Sequence, residues 1–171
     1  MQKGTNCLYR REQDGTVNEQ APIQGPEADR HRLTVTLTRG LPGSGKSTWA
    51  KQRVAEHPGT TIRVNKDDIR AMLHDGRWSE TNEVLVETVR DATILAGLDH
   101  ACDVIVDDTN LAPRHLEHII ELVAARAIVC VHDFTHVPID ECVRRDSERD
   151  RSVGERVIRE MSDRHLRLAS E

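Results

Sequence analysis

Aromatic side chains are almost missing from this chain of 171 residues: Tyr9, Trp49, Trp78 and Phe134 are the whole set. That scarcity excludes a long single-strand groove lined by a row of stacking rings. Any polynucleotide contact is therefore expected to be short and directed mainly at phosphates. Long apolar runs are missing too. None approaches the roughly 18 residues a membrane span needs, and the N-terminus lacks the apolar core of a signal peptide. The expectation is a soluble, cytoplasmic protein with no membrane partner. Cys7, Cys102, Cys130 and Cys142 stand far apart with no C-x-x-C pair, which points to reduced thiols in the cytoplasm. There is no basic excess either. A formal charge of −5 argues against a general nucleic-acid coat but leaves room for a local basic channel. The length fits one domain with a core of its own.

What is present centres on Gly40-Leu41-Pro42-Gly43-Ser44-Gly45-Lys46-Ser47-Thr48, which satisfies G-x-x-x-x-G-K-[ST] at every fixed position. A β-rich stretch over residues 33–38, apolar at alternate positions, precedes it, and residues 48–56 read as a helix. That strand–loop–helix setting distinguishes a phosphate loop from a chance run of glycines. Glycines let successive N–H groups turn into one concavity at a helix N-terminus, which holds anions. In such a loop Gly43, Ser44, Gly45 and Thr48 cradle phosphates, Lys46 reaches the β- and γ-phosphates, and the Ser47 hydroxyl ligates Mg²⁺. The pattern calls for ATP or another nucleoside triphosphate.

Residues 1–30 hold few apolar side chains and no periodicity, so they are expected to form a disordered or loosely attached tail. Glu12-Gln13-Asp14-Gly15-Thr16 within it looks like the D-x-D-G-T nucleophile motif of haloacid-dehalogenase phosphatases. Its first position is Glu and no buried strand precedes it, so the likeness is read as coincidence. The folded domain is expected over residues 31–171. A second strand covers residues 60–65 and ends at Asn65-Lys66-Asp67-Asp68-Ile69-Arg70, where an α/β sheet places its ligand crevice. The N-K-x-D letters there match a guanine-reading motif, but they lie too early in the chain for that role. Asp68 is a candidate cap for a helix over 69–74. Ser79 is an N-cap candidate for a longer helix to about residue 100.

An apolar run from Asp103 ends in Asp107-Asp108-Thr109-Asn110, the form of a central parallel strand with a Walker-B-like terminus. Asp107 is, with Ser47, a candidate Mg²⁺ ligand. Pro113 opens a helix to about residue 126. On it, His115 and His118 are expected to be exposed and not metal-bound. Residues 127–134 form a fourth strand, and His132 and His136 at its exit have no third ligand in view. From Pro138 onward two helices flank Ser152-Val153-Gly154, and the basic side chains over 144–151 are arginine throughout. A charge run is ordinarily a solvated face, but phosphoryl-transfer enzymes bring Arg to the transferring group on a mobile lid, where its planar fork binds phosphate bidentately. The expected fold is an α/β three-layer sandwich around a parallel sheet of about four strands.

Over residues 33–168 the sequence resembles the kinase domain of the T-even phage polynucleotide kinase/phosphatase family. The likeness rests on Pro42-Gly43-Ser44-Gly45-Lys46-Ser47-Thr48-Trp49-Ala50, Asn65-Lys66-Asp67-Asp68-Ile69-Arg70, Asp108-Thr109-Asn110-Leu111-Ala112-Pro113 and Arg145-Asp146-Ser147-Glu148-Arg149. The resemblance implies an adenylate-kinase-like P-loop fold with a helical, Arg-bearing lid. It implies Asp67 as general base for an attacking 5′-hydroxyl and Arg70 on the acceptor's phosphate. Lys46 and Ser47 would handle the donor and Mg²⁺, Arg149 would be the lid arginine, and Asp108 would support the site. The chain ends where that family's phosphatase domain would start, and Gly154 stands where the family example has Pro.

Three functions compete on these grounds. An ATP-dependent kinase of the 5′-hydroxyl end of DNA or RNA uses every motif. A homo-oligomer, and a separate phosphatase or ligase in the same pathway, are compatible with it. A P-loop small-molecule kinase for a sugar, nucleoside or antibiotic shares most of them. A nucleotide-dependent switch would leave Asp67 and Arg70 without a task.

Overall fold

The computed structural model of the chain describes residues 6–11, 17–20, 32–124 and 126–166. Strand β3 (Thr34–Arg39) leads through the glycine-rich loop into helix α1 (Lys46–Glu56). Strand β4 (Thr61–Val64) follows, then α2 (Lys66–His74) and the long α3 (Glu80–Asp99). Strand β5 (Asp103–Val106), α4 (Pro113–Val123), β6 (Ile128–Asp133), α5 (Ile139–Ser147) and α6 (Glu155–His165) complete the order. The four strands β6, β3, β5 and β4 lie side by side in that order and run parallel. This is the parallel sheet of four strands expected from the motif order.

That order places the site. β3 and β5 are neighbours, but the chain leaving β3 crosses to β4 on one side while the chain leaving β5 crosses to β6 on the other. Loops that depart in opposite directions open a crevice at the carboxyl ends of the two strands. The two strands are apolar because both are interior: Val35, Leu37, Val104 and Val106 are buried and share one core with Ile94 of α3 and Ile119 of α4. A smaller core of Leu41, Leu111, Cys142 and Ile158 lies under the lid helices. It joins the phosphate loop, the turn after β5, α5 and α6.

One expectation is corrected at the N-terminus. Strands β1 (Asn6–Arg11) and β2 (Val17–Gln20) form an antiparallel hairpin, and β1 pairs antiparallel with β6 from Asn6 opposite His132 to Tyr9 opposite Val129. These stretches are therefore not loosely attached. The parallel sheet leaves the outer backbone groups of β6 open, and an added strand satisfies them whatever its hydrophobic period. The stretch over residues 12–16 lies outside the described residues.

Helix starts are also earlier than composition alone implies. α1 begins at Lys46 and α2 at Lys66. The cap of α2 is Asn65, whose side chain accepts from the Asp68 N–H at 3.0 Å, so Asp68 sits inside the first turn and does not cap the helix. Ser79 caps α3 as its position suggests, accepting from the Asn82 N–H.

Candidate active site

The phosphate loop is shaped by what presses on it. Gly43 has φ +82°, and a Cβ there would overlap the carbonyl oxygen of Cys142 on α5, so the lid helix touches the loop backbone directly. Gly45, at φ +99°, stands at the N-cap of α1 and offers no side-chain cap. The first N–H groups of α1 are left by helix geometry without intrahelical partners. Lys46 is buried, and its Nζ donates to the Leu41 carbonyl at 2.7 Å. Burial pushes its ammonium down to about 8 against the opposing pull of Asp107. The Asp107, Arg149 and Asp108 charges all reach Lys46, so the donor-side residues form one electrostatic cluster.

The end of β5 supplies the second wall. Asp107 is buried, and its Oδ1 accepts from the Ser47 hydroxyl at 3.2 Å. Its Oδ2 accepts from Arg63 Nε at 2.6 Å, while Arg63 Nη1 reaches Asp68 at 2.5 Å. Asp108 Oδ1 accepts from the Lys66 N–H at 3.0 Å. Its other oxygen, Oδ2, is buried without a hydrogen-bond partner among the described residues. Burial raises the Asp108 carboxyl above the usual range. The turn that follows is built by Asn110, at φ +42°, whose amide donates to the Thr38 and Asp108 carbonyls. The Gly40 N–H donates to Thr109 at 3.0 Å, Leu111 enters the smaller core, and Pro113 starts α4. Asp-Thr-Asn-Leu-x-Pro is thus the clasp between the ends of β3 and β5.

The third wall is the α2–α3 hairpin. Asp67 is 84 % exposed, and its carboxylate accepts from Arg70 Nη1 at 2.5 Å. Glu83 on α3 takes the other edge of the same guanidinium, from Nε at 2.5 Å and from Nη2 at 2.9 Å. Those bonds hold the Glu83 carboxyl below its usual range. A guanidinium has five N–H bonds, so Nη1 and Nη2 each retain one beyond these contacts. Asp67 also lies close enough to Asp108 for its charge to be felt there.

The lid closes the cleft from α5. Arg145 and Arg149 face Gly43, Gly45 and Thr48 of the loop and Trp49 and Gln52 of α1 across a cavity of about 520 Å³, a size that suits a small ligand. The turn after α5 is held by Asp146, whose Oδ2 accepts from the Ser152 hydroxyl at 2.7 Å and from the Val153 and Gly154 N–H groups at 3.0 Å. Burial opposes its charge, yet the Ser152, Gly154 and Val153 donors hold its carboxyl below the usual range.

Ser47 with Asp107, Asp67 with Arg70, and Arg149 with the phosphate loop are each brought together. The end of β5 is tied to α2 through Arg63, which bridges Asp107 and Asp68, and through the Lys66 N–H and the Asn65 amide, which donate to Asp108 and to the Asp107 carbonyl. Arg63, Glu83, Asn110 and Asp146 were not singled out for the site from sequence. Arg63 and Glu83 act through partners 44 and 13 positions away, and a lone Arg or Glu carries no motif of its own. Asn110 and Asp146, by contrast, lie inside stretches the resemblance rests on and bond partners as near as 2 and 6 positions away. His132 stacks on Trp49 at 4.1 Å and 12°, with Phe134 at its edge. His115 is half-buried, with burial lowering it to about 4, a correction to its expected exposure. His118 pairs with Asp91 at 2.7 Å. Cys102, Cys130 and Cys142 are free and buried.

Hard, oxygen-seeking Mg²⁺ is commonly held by one or two protein oxygens plus phosphate oxygens and waters. The Ser47 hydroxyl, the Asp107 carboxylate and the unpartnered Asp108 oxygen fit that donor set. Among the described residues no group of three or more His, Cys, Asp or Glu gathers as a metal site. None of the described helices is long and apolar enough to cross a membrane.

Comparison with known proteins places this geometry. The AAA_33 family, described as an AAA domain, matches residues 35–168. An L-seryl-tRNA(Sec) kinase of Methanococcus maripaludis is 27 % identical over 135 residues, covering 77 % of this chain and 52 % of that protein. A chain of the Pnkp1/Rnl/Hen1 RNA repair complex superposes with a TM-score of 0.69 at 27 % identity, over 82 % of this chain and 46 % of that one. The chain therefore spans about half the length of these relatives. The Mycobacterium tuberculosis APS kinase CysC, in complex with AMPPNP and APS, shares the fold with a TM-score of 0.55 at 19 % identity, over 68 % of this chain and 70 % of that one.

Proposed function

From the premise that the chain belongs to the AAA_33 family, we propose that it is an ATP-dependent phosphotransferase that phosphorylates the 5′-hydroxyl end of DNA or RNA. The observation that carries this reading is the α2 arrangement, an exposed Asp67 held by Arg70 at the rim of the phosphate-loop crevice. Phosphoryl transfer needs the donor phosphates cradled, their charge offset, and the attacking hydroxyl oriented. The loop amides and Lys46 hold the donor's phosphates, and Arg149 meets the charge that spreads onto the transferring group. Ser47 and Asp107 would hold Mg²⁺ together with the phosphates, and the ion would supply charge neutralisation there. Asp67 accepts the proton of the attacking hydroxyl. Arg70 orients that carboxylate, and its two remaining N–H bonds face an acceptor phosphate. The likeness to the RNA repair complex over most of the chain supports a polynucleotide acceptor, as does the resemblance to the T-even kinase family. Within that reading a homo-oligomer and a partner phosphatase or ligase are natural companions.

One observation favours the small-molecule alternative: Glu83 and Asp67 already engage all three nitrogens of Arg70, so the acceptor phosphate finds a guanidinium with other commitments. Transfer of labelled γ-phosphate to 5′-hydroxyl DNA and RNA oligonucleotides, beside sugars and nucleosides, decides between them. The expected result is 5′-end labelling that Asp67→Asn lowers by about 10²–10⁴-fold with near-normal nucleotide affinity. Labelling of a small molecule in preference to oligonucleotides would transfer the assignment to the alternative.

A further inference from the structure

Asp107 is completely buried, and a buried carboxylate needs a partner charge or several donors to remain ionised. Its two oxygens have different partners. Oδ1 takes a neutral hydroxyl from Ser47. Oδ2 takes a charged donor, Arg63 Nε at 2.6 Å. Lys46, the other cation nearby, directs its Nζ to the Leu41 carbonyl, so Arg63 is the cation bonded to Asp107 among the described residues. Arg63 comes from β4, next to β5 in the sheet, with its backbone opposite Ile105. Its side chain is only 15 % exposed. Its other arm rests on Asp68 of α2, a carboxylate 67 % exposed to solvent.

We propose that Arg63 is the resident counter-cation of the metal-side acid, which keeps the nucleotide-free protein a poor binder of divalent cations. The cation then enters with the triphosphate, whose oxygens supply the ligands that Arg63 denies it. A guanidinium bridging two acids can release Asp107 and remain paired with Asp68, so the exchange leaves no buried charge alone. Arg63 also links the donor wall to α2, which carries Asp67. This inference rests on the metal-binding part of the proposed function and is independent of the identity of the acceptor. Arg63 is a positioning residue here, since it acts on the cation through Asp107.

The test uses the full chain and Mn²⁺ as the probe, titrated by electron paramagnetic resonance with and without a non-hydrolysable ATP analogue. Without nucleotide, Arg63→Gln is expected to tighten Mn²⁺ binding by about tenfold or more, because a like charge within bonding distance of the site has gone. Adding Asp107→Asn should remove that gain. With the analogue present, wild type and Arg63→Gln should differ by less than about threefold, since the phosphates then dominate the ligand set. Arg63→Lys keeps the charge and should stay near wild type, which answers the same question if the neutral variant does not fold. Equal nucleotide-free Mn²⁺ affinity in wild type and Arg63→Gln would overturn the proposal, as would a gain that survives Asp107→Asn. An Arg63→Lys protein that binds Mn²⁺ tightly would overturn it too. A wild type that fails to bind the analogue would instead strike at the reading of the phosphate loop, so the two failures are distinguishable.

Discussion

The phosphate loop and the lid face each other across one cleft, yet they are held in opposite ways. The loop is fixed from within. Leu41, Ser44 and Lys46 are buried, and Gly43 lies against the α5 backbone. The lid is anchored at its base by Cys142 and Ile158 in the smaller core, but its arginines lie at the surface. Arg144 pairs with Glu141 and Glu148, and Arg145 with Glu141. Exposed pairs of this kind contribute little to stability and exchange partners readily. Arg149 has no such pair among the described residues and borders the cleft. On the proposed function, the difference teaches where rigidity is needed: a preformed backbone cradle would bind the phosphates, whereas a cation free to reorient would meet the transition-state charge.

The sharpest way to break this comparison is to remove the cation from each side in turn. Lys46→Ala should lower transfer by about 10³-fold or more and weaken nucleotide binding with it, because a preformed ligand of the ground state is gone. Arg149→Ala should lower kcat by roughly 10³-fold while nucleotide affinity, followed by fluorescence of a labelled analogue, changes far less. Equal losses of affinity in both variants would make the lid part of the fixed cradle. Arg159→Ala, farther along the lid on α6 and paired with Glu155 and Asp140, should leave turnover and melting temperature unchanged.

A smaller effect sharpens the contrast in burial. Lys46 is lowered to about 8 in the free protein, so near pH 8 it is neutral in about half of the molecules, and phosphates arriving in the loop would recharge it. Calorimetry at pH 8 in buffers of different protonation enthalpy should show uptake of up to about half a proton per nucleotide, vanishing toward pH 6.5 and in Lys46→Ala. No uptake at pH 8 would mean that the ammonium is already charged. For stability the sign follows from the same shift. The unfolded chain keeps this Lys protonated up to its ordinary 10.5, so the native state is relieved of a buried charge as pH rises from about 8 to 10.5. This group's contribution therefore grows across that window and is unfavourable below it.

The smallest expected change lies farthest from the cleft. Removing residues 1–20 takes away β1 and β2 and bares the outer backbone of β6. A fall in melting temperature of about 5 °C with normal turnover is expected. A loss of turnover would show that the hairpin reaches the Trp49–His132–Phe134 stack, since β1 pairs with β6 at His132.

Much of this was legible in the sequence because its signals are local. The glycines of the phosphate loop, the apolar strand that runs into Asp107 and Asp108, and Pro113 at the head of α4 each declare themselves within a few residues. Tertiary structure alone decided the rest. Composition marked residues 1–30 as tail because it measures how much surface a segment can bury, whereas β1 is placed by backbone pairing to an open edge, which no hydrophobic period records. Arg63, Glu83 and Asp146 matter through partners 44, 13 and up to 8 positions away, and an isolated charge in sequence has no direction. Short-range patterning determined which elements form and what chemistry the chain carries. The opposite crossings of the connections that leave β3 and β5 decided which charges meet, because pairing between ions depends on distance in space.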